Sequence, residues 1–286
     1  MTGETLRIGG VPEHFNFPWH LGRRLGMFAE AGIDLRWQDY STGTGAMVAD
    51  LTDDSLDLAV LLSEGAVAAI SGGAELSILG WTVSTPLIWG VHVPPNEPAE
   101  ELAALIDPRI AISRFGSGSH LMAHVLMQQR SLEERWGGHS FVVVNNLPGA
   151  AKAFSEGRAD LFMWEQFTTQ PSVDAGHMRR LDTCPTPWPP FCLCASQRLL
   201  ESRPELVRAL VETYYQAVSQ ARSQPDLEQQ IADYYQLAPA QVAQWRNLTR
   251  WTSDPSIDPA ELRSIINQLA SLELARADLT PADCLD

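Results

Sequence analysis

Residues 113–120 read Ser-Arg-Phe-Gly-Ser-Gly-Ser-His, and they stand between two apolar stretches. Arg109-Ile110-Ala111-Ile112 precedes them, and Leu121, Met122, Val125 and Leu126 follow at helical spacing, so the segment reads as strand, tight turn, helix. Such a turn can hold an anion or a polarised carbonyl oxygen on unpaired N–H groups at the start of a helix. Gly118 would let a ligand approach the main chain, while Ser117 and Ser119 would add hydroxyl donors beside His120. Capping alone would also select a serine such as Ser119 before an apolar helix. A second turn of similar composition, Ser41-Thr42-Gly43-Thr44-Gly45, weighs toward the cradle.

Ligands of open α/β sheets sit beyond the carboxyl ends of the strands. The polar segments that follow apolar stretches are therefore candidates: His14 and Asn16 with Phe17, Ser41 to Gly45, Ser63-Glu64, Thr82 to Thr85, Ser117 to His120, Asn145-Asn146 and Trp164-Glu165. An apolar strand that ends in Trp164 and Glu165 would put an aromatic and a carboxylate into a cleft. There Glu165 would pair with a basic or amine-bearing ligand, or hydrogen-bond across the gap. Of the other aromatics near strand ends, Phe15, Trp19, Trp81 and Trp188, several must serve in core packing.

Other chemistries lack their residues. Gly43-Thr44-Gly45 and Gly116-Ser117-Gly118 each miss the third glycine of a dinucleotide fingerprint, and neither leads into Gly-Lys-Ser/Thr. The chain has no Gly-x-Ser-x-Gly elbow. His120 and His124 have a spacing that can hold a metal, but no third ligand suggests itself, so they read as a solvent-side or core-edge pair. Cys192 and Cys194 read as packing residues on one face of a short strand. No metal, cofactor or catalytic residue is expected.

The bulk properties agree with a soluble globular protein. The 286 residues are 45% hydrophobic and 19% charged, with a net charge of −15 from 20 basic and 35 acidic residues. A polyanion partner needs a concentrated basic footprint, and none longer than Arg23-Arg24 or Arg179-Arg180 occurs, which excludes nucleic acid. No apolar run approaches the roughly 20 residues of a membrane span, so no transmembrane segment is expected. The first strand begins close to Met1 without a leader-like stretch, which predicts a cytoplasmic protein if Met1 is the native start and a periplasmic one if a signal was removed. The four cysteines read as reduced, partly buried thiols.

The elements that must position these turns alternate. Strands are predicted over residues 6–11, 33–37, 56–62 and 76–81, with helices over 19–31, 46–51 and 64–70 between them. After a Pro-rich crossing at 94–98 the alternation restarts: strands 110–113, 141–144 and 160–164, helices 121–129 and 149–156. A second Pro-rich crossing at 184–190 leads to strand 191–195 and then only helices, 204–222, 226–235, 239–247 and 259–274. This order predicts an α/β protein with mainly parallel sheets. It forms two lobes, residues 1–92 with 190–286 and an inserted 93–189, with a cleft between them and a helical C-terminal tail. Asp57-Leu58-Ala59-Val60 and Asp160-Leu161-Phe162-Met163 form a faint internal echo.

Several stretches in this order carry a family resemblance: Leu6-Arg7-Ile8-Gly9-Gly10-Val11, Gly26-Met27-Phe28-Ala29-Glu30-Ala31-Gly32-Ile33-Asp34-Leu35, Ser41 to Gly45, Asp57 to Val60, Ser117-Gly118-Ser119, Glu156-Gly157-Arg158-Ala159-Asp160 with Trp164-Glu165, and Pro204-Glu205-Leu206-Val207-Arg208-Ala209-Leu210. Together they resemble the type 2 periplasmic-binding-protein fold, in the branch of sulfonate, taurine, nitrate and thiamine-pyrimidine binding proteins. The resemblance implies two lobes that close by hinge motion on a small polar or anionic ligand. It places Asn16, Ser41 to Gly45, Ser63-Glu64, Ser117 to His120 and Trp164-Glu165 around that ligand, with an ABC transporter permease as partner. Exported members carry a signal or lipoprotein cysteine not seen here, and the thiamine-pyrimidine synthases of this fold carry a cysteine-rich run where this chain reads Cys184-Pro185-Thr186-Pro187-Trp188-Pro189-Pro190. The alternatives are a cytosolic enzyme of thiamine or menaquinone precursor synthesis, with Glu64, Glu165, His14 and His120 as acid/base groups, and a ligand sensor read by another protein.

Overall fold

The computed structural model describes residues 3–285. The chain divides into two compact units, Met1–Thr85 with Trp188–Asp286 as unit 1 and Pro86–Pro187 as unit 2. Unit 1 opens with strands β1 (Glu4–Gly10), β2 (Ile33–Asp39), β3 (Leu58–Leu62) and β4 (Leu76–Val83). Its first helices are α1 (Phe17–Arg24), α2 (Met27–Glu30), α3 (Thr44–Thr52) and α4 (Ser63–Ser71). Unit 2 holds β5 (Ile88–Val93), β6 (Arg109–Ile112), β7 (Ser140–Val143), β8 (Leu161–Glu165) and β9 (Arg179–Pro185), with α5 (Gly118–Arg130), α6 (Leu147–Ser155) and α7 (Gln166–Asp174). The chain returns to unit 1 through β10 (Phe191–Ser196), then α8 (Gln197–Ser202), α9 (Pro204–Arg222), α10 (Leu227–Tyr235), α11 (Pro239–Leu248) and α12 (Pro259–Ser271).

Each unit is built on a five-stranded sheet of the same plan, β2-β1-β3-β10-β4 in unit 1 and β7-β6-β8-β5-β9 in unit 2. The first three strands of each are parallel, and the fourth runs antiparallel to both neighbours. Four of the five strands in each sheet run the same way, so the sheets are mainly parallel, with one inverted strand in each that the sequence did not place: β10 sits between β3 and β4, and β5 between β8 and β9. Because β5 pairs with β8 and β9, the first crossing falls between Thr85 and Pro86 rather than at residues 92–93. β9 carries no apolar signature: Arg179-Arg180-Leu181-Asp182-Thr183 is half-buried along its length, as suits a sheet edge.

The faint internal echo has a structural cause. In unit 1 the Arg7 guanidinium donates to both Asp57 oxygens, at 3.0 and 2.9 Å, and the Arg7 N–H adds a third bond at 2.8 Å. Unit 2 repeats the arrangement with Arg109 and Asp160, at 2.8, 2.6 and 2.8 Å. In both units the arginine opens or lies within the second strand of the sheet, β1 or β6, and the aspartate precedes the central strand beside it, β3 or β8. A planar guanidinium matches a carboxylate bidentately, so the clamp fixes register where two parallel strands begin. It leaves the opposite, carboxyl ends of those strands free for the turns.

Two local differences follow from backbone chemistry. The helix expected over residues 19–31 is two helices, because Gly26 takes the left-handed conformation and turns the chain between α1 and α2. The short α8 precedes Pro204, which serves as the first residue of α9. α9 buries Val207, Leu210, Tyr214, Ala217, Val218 and Ala221, a stripe at helical spacing, and packs on α1. Leu210→Ala there would cost about 2–5 kcal/mol by the cavity it leaves.

All four cysteines are buried free thiols, and Cys192 and Cys194 lie 3.5 Å apart. Among the described residues no helix is long and apolar enough to cross a membrane, and no group of three His, Cys, Asp or Glu residues could hold a metal ion.

Candidate functional site

In unit 1 the sequence candidates gather at the carboxyl ends of β1, β2 and β3. Asn16 is buried and its Nδ2 donates to the Val11 carbonyl at 2.8 Å, which ties the turn after β1 to its own strand. His14 is buried beside it, stacked on Phe15 and edge-on to Trp245 at ring-centroid distances of 4.8 and 4.4 Å. Burial among these rings drives its pKa down to about 3, so the imidazole is neutral. Phe17 is 1% exposed and packs edge-on against Tyr234.

The Ser41 to Gly45 turn enters α3. Gly43 caps that helix with a φ of 77°, a conformation that glycine adopts without strain. Ser41 and Thr42 are exposed, and Gly43, Thr44 and Gly45 are half-buried. Thr44 Oγ1 accepts from the Leu62 N–H at 3.2 Å, which brings this turn against the end of β3. There Ser63 and Glu64 form the first turn of α4.

Ser63 is fully buried and Glu64 is 2% exposed. The Ser63 N–H donates to the Pro190 carbonyl at 2.9 Å, while its hydroxyl has no hydrogen-bond partner. Glu64 Oε2 accepts from the Trp188 indole N–H at 3.0 Å, and Oε1 has no partner. Burial is the main cause that raises the Glu64 carboxyl to about 7, against the opposing effect of its own N–H and of the Trp188 indole. The carboxyl can therefore be neutral or ionised near neutral pH. Trp188 belongs to this group, although the sequence suggested for it only an aromatic near a strand end. Its place in a Pro-rich link hides that it folds back onto Glu64.

Unit 2 treats its candidates differently. The cap of α5 is Ser117, not Ser119: Ser117 Oγ accepts from the His120 N–H at 3.4 Å. Ser119 Oγ instead accepts from the Ser113 N–H at 2.9 Å and lies 3.0 Å from Ser117 Oγ, so both hydroxyls are engaged in folding the turn. Gly118 is the first residue of the helix. The Gly116 N–H donates to His120 Nδ1 at 3.2 Å, and burial with the nearby His139 lowers the His120 pKa. His120 and His124 lie edge-on, 5.1 Å apart, against Phe141.

Glu165 is 4% exposed, and its burial has a structural explanation. Oε2 accepts from the Phe167 N–H, the Thr168 N–H and the Thr168 hydroxyl at 2.9, 2.7 and 2.9 Å, so the side chain caps α7. Burial raises its pKa, opposed by those same donors. Trp164 is half-buried, stacked on Phe162 at 5.7 Å and edge-on to Trp89 at 6.4 Å. The exposed cation at the end of β6 is Arg114, which has no ion-pair partner among the described residues. Its position in the Ser-Arg-Phe-Gly-Ser-Gly-Ser-His turn is the signal that points to it.

Comparison with known proteins places this geometry in a fold. The sequence profile of a family described as Ca3427-like PBP matches residues 89–184, which lie within unit 2. No curated protein sequence matches the chain. Among solved structures, the CA3427 gene product of Candida albicans, described as having the generic periplasmic binding protein fold, superposes with a TM-score of 0.87 at 22% identity, over 99% of this chain and 96% of that one. The alkanesulfonate-binding protein SsuA from Xanthomonas axonopodis pv. citri, bound to MOPS, gives 0.79 at 17% identity over 100% and 99% of the two chains. The periplasmic nitrate-binding protein NrtA from Synechocystis PCC 6803 gives 0.72 at 14% identity over 98% and 84%. The chain has the type 2 periplasmic-binding-protein fold, as its α/β pattern with an inserted second unit and a helical C-terminal region implied.

Proposed function

We propose that this protein binds a small polar or anionic solute, sulfonate-like in charge and size, with the strand-end turns of its two units, and closes on it by a hinge motion. One observation carries the reading: the first turn of α4 holds two adjacent buried polar groups, Ser63 Oγ and Glu64 Oε1, that the protein itself leaves without partners. A buried polar group left unpaired costs about 1–3 kcal/mol, and an arrangement that keeps two such groups together suits a ligand that completes them. The exposed, unpaired Arg114 in unit 2 fits an anion in the same sense. The alkanesulfonate-binding and nitrate-binding proteins that share this fold supply the solute class. A transporter permease is the partner that would receive the solute.

The enzyme alternative loses two of its four acid/base candidates. Glu165 is occupied as the cap of α7, and His14 is a neutral ring enclosed by aromatics. Melting temperature tests the binding reading, because a solute bound only by the folded state adds RT ln(1 + [L]/Kd) to its stability. Ethanesulfonate, MOPS, nitrate and small carboxylates are the panel. A rise of several degrees with at least one of them, lost in Arg114→Ala, is expected; no shift with any of them removes the reading.

A further inference from the structure

The binding reading, on which this step rests, says nothing about how a buried carboxyl tolerates an anion. The geometry around Glu64 does. The carboxyl stands at the N-terminus of a nine-residue helix, with an indole N–H on Oε2, a free serine hydroxyl next in sequence, and an Oε1 that meets no protein donor. Every neighbouring group identified is a neutral donor. No cation hydrogen-bonds the carboxyl among the described residues.

The elements packed against α4 are α3, α12, β3, β4 and β10. Their titratable groups are Asp50 on α3, Glu261 and Arg263 on α12, and Cys192 and Cys194 on β10. Asp50 accepts from the Tyr40 hydroxyl, Glu261 from the Trp81 indole at 2.9 Å, and Arg263 donates to the Leu279 carbonyl at 3.5 Å. The two thiols pair with each other at 3.5 Å. None of these charges contributes to the shift of Glu64, which burial dominates. The carboxyl therefore answers to desolvation and to whatever meets Oε1.

We infer that Glu64 meets the anion as a carboxylic acid, donating its proton from Oε1 to an oxygen of the ligand alongside the Ser63 hydroxyl, so that an anion entering when Glu64 is ionised brings one proton with it. The atoms balance simply: a proton from water goes onto Glu64 Oε1, the O–H remains on Glu64, and the ligand stays ionised. An ionised Glu64 would repel an anion across a buried contact, where charge interactions are screened far less than in water. The acid form turns the same group into a donor, and the positive end of the α4 dipole adds to its effect. A cationic ligand would have the opposite linkage, displacing the proton.

Isothermal titration of the full chain with ethanesulfonate, and separately with nitrate, tests this between pH 5.5 and 8.5. The expected result is an affinity flat below about pH 6 that falls by up to tenfold for each pH unit well above 7. Matched titrations in triethanolamine and Tris, cationic buffers whose ionisation heats differ, should show close to one proton taken up per anion near pH 8. Glu64→Gln keeps an N–H donor and does not titrate, so it should bind with an affinity that does not change with pH and with no proton uptake. Binding by the wild-type protein with no pH dependence and no proton uptake would overturn the inference and leave the binding reading intact. So would an affinity that rises with pH, or an unchanged slope in the Gln variant. Absence of binding by either anion at every pH would overturn both.

Discussion

Glu64 and Glu165 both lie where the third strand of a sheet gives way to a helix, Glu165 as the last residue of β8 and N-cap of α7, Glu64 as the second residue of α4. Both are buried, and burial raises both pKa values. Yet three donors from α7 converge on one oxygen of Glu165, whereas Glu64 has one indole donor and an oxygen left over. The same residue type, two positions apart in the helix start, is a helix cap in unit 2 and an incomplete polar group in unit 1. The serines make the same contrast. Ser119 is used to tie the α5 turn to β6, and the Ser63 hydroxyl is not used at all. A repeated fold thus repeats the sheet plan without repeating the role, and the place in the helix start and the donors that reach it tell the two apart.

Substitutions can break this contrast. The largest effect is expected at Glu64. Its folded pKa of about 7 lies above the unfolded carboxylate value of 4.5, so the stability it contributes is full below 4.5 and lost as pH rises through 7. Glu64→Gln does not titrate and should gain on the wild type by about 3 kcal/mol between pH 4 and 8, seen as a growing difference in urea midpoint. A constant difference across that range would mean that Glu64 is an ordinary ionised carboxylate. Next come the strand clamps: Asp57→Ala and Asp160→Ala should each cost about 1.5–3 kcal/mol, the former more because Asp57 is the more buried, at 12% against 30% side-chain exposure. Equal costs would separate the clamp from burial.

Glu165→Ala removes a cap and should destabilise by about 1–2 kcal/mol, opposite in sign to Glu64→Gln above neutral pH. Its anion affinity should stay within twofold of wild type; a large loss would make Glu165 a ligand group after all. Ser119→Ala is the smallest, about 1 kcal/mol from the lost bond to the Ser113 N–H. That loss should be the same with and without ethanesulfonate in a melting experiment, and a loss seen only with the anion would restore the serine to the cradle.

Much of this was visible in the residues. Apolar strands bounded by Gly/Ser turns marked β1, β3, β6 and β8, and the second Pro-rich stretch, at 184–190, marked the return from the inserted unit, whereas the first, at 94–98, lies inside that unit after β5. β9 was not visible because a half-buried edge strand carries no alternation that a sequence can show. β5 was hidden by its glycine and by its place beside the crossing, and no local pattern says that a strand will run antiparallel in the middle of a sheet. At the site, residue type and position identified Glu64 and Glu165 equally well. What distinguishes them is set by long-range partners: Trp188, 124 residues from Glu64, against Phe167 and Thr168, two and three residues from Glu165. The alternative of Ser119 as a cap falls to Ser117, two residues earlier, which satisfies the same rule; the register of a helix start depends on which hydroxyl the preceding strand claims.

The most direct test follows the Glu64 carboxyl itself, as a carbon-13 side-chain signal assigned by its disappearance in Glu64→Gln. It should titrate near pH 7 in the free protein and move upward by at least one pH unit when the protein is saturated with ethanesulfonate, while Glu165 does not respond. A Glu64 signal that titrates near the ordinary value of 4.5, or moves downward with the anion, would contradict the account.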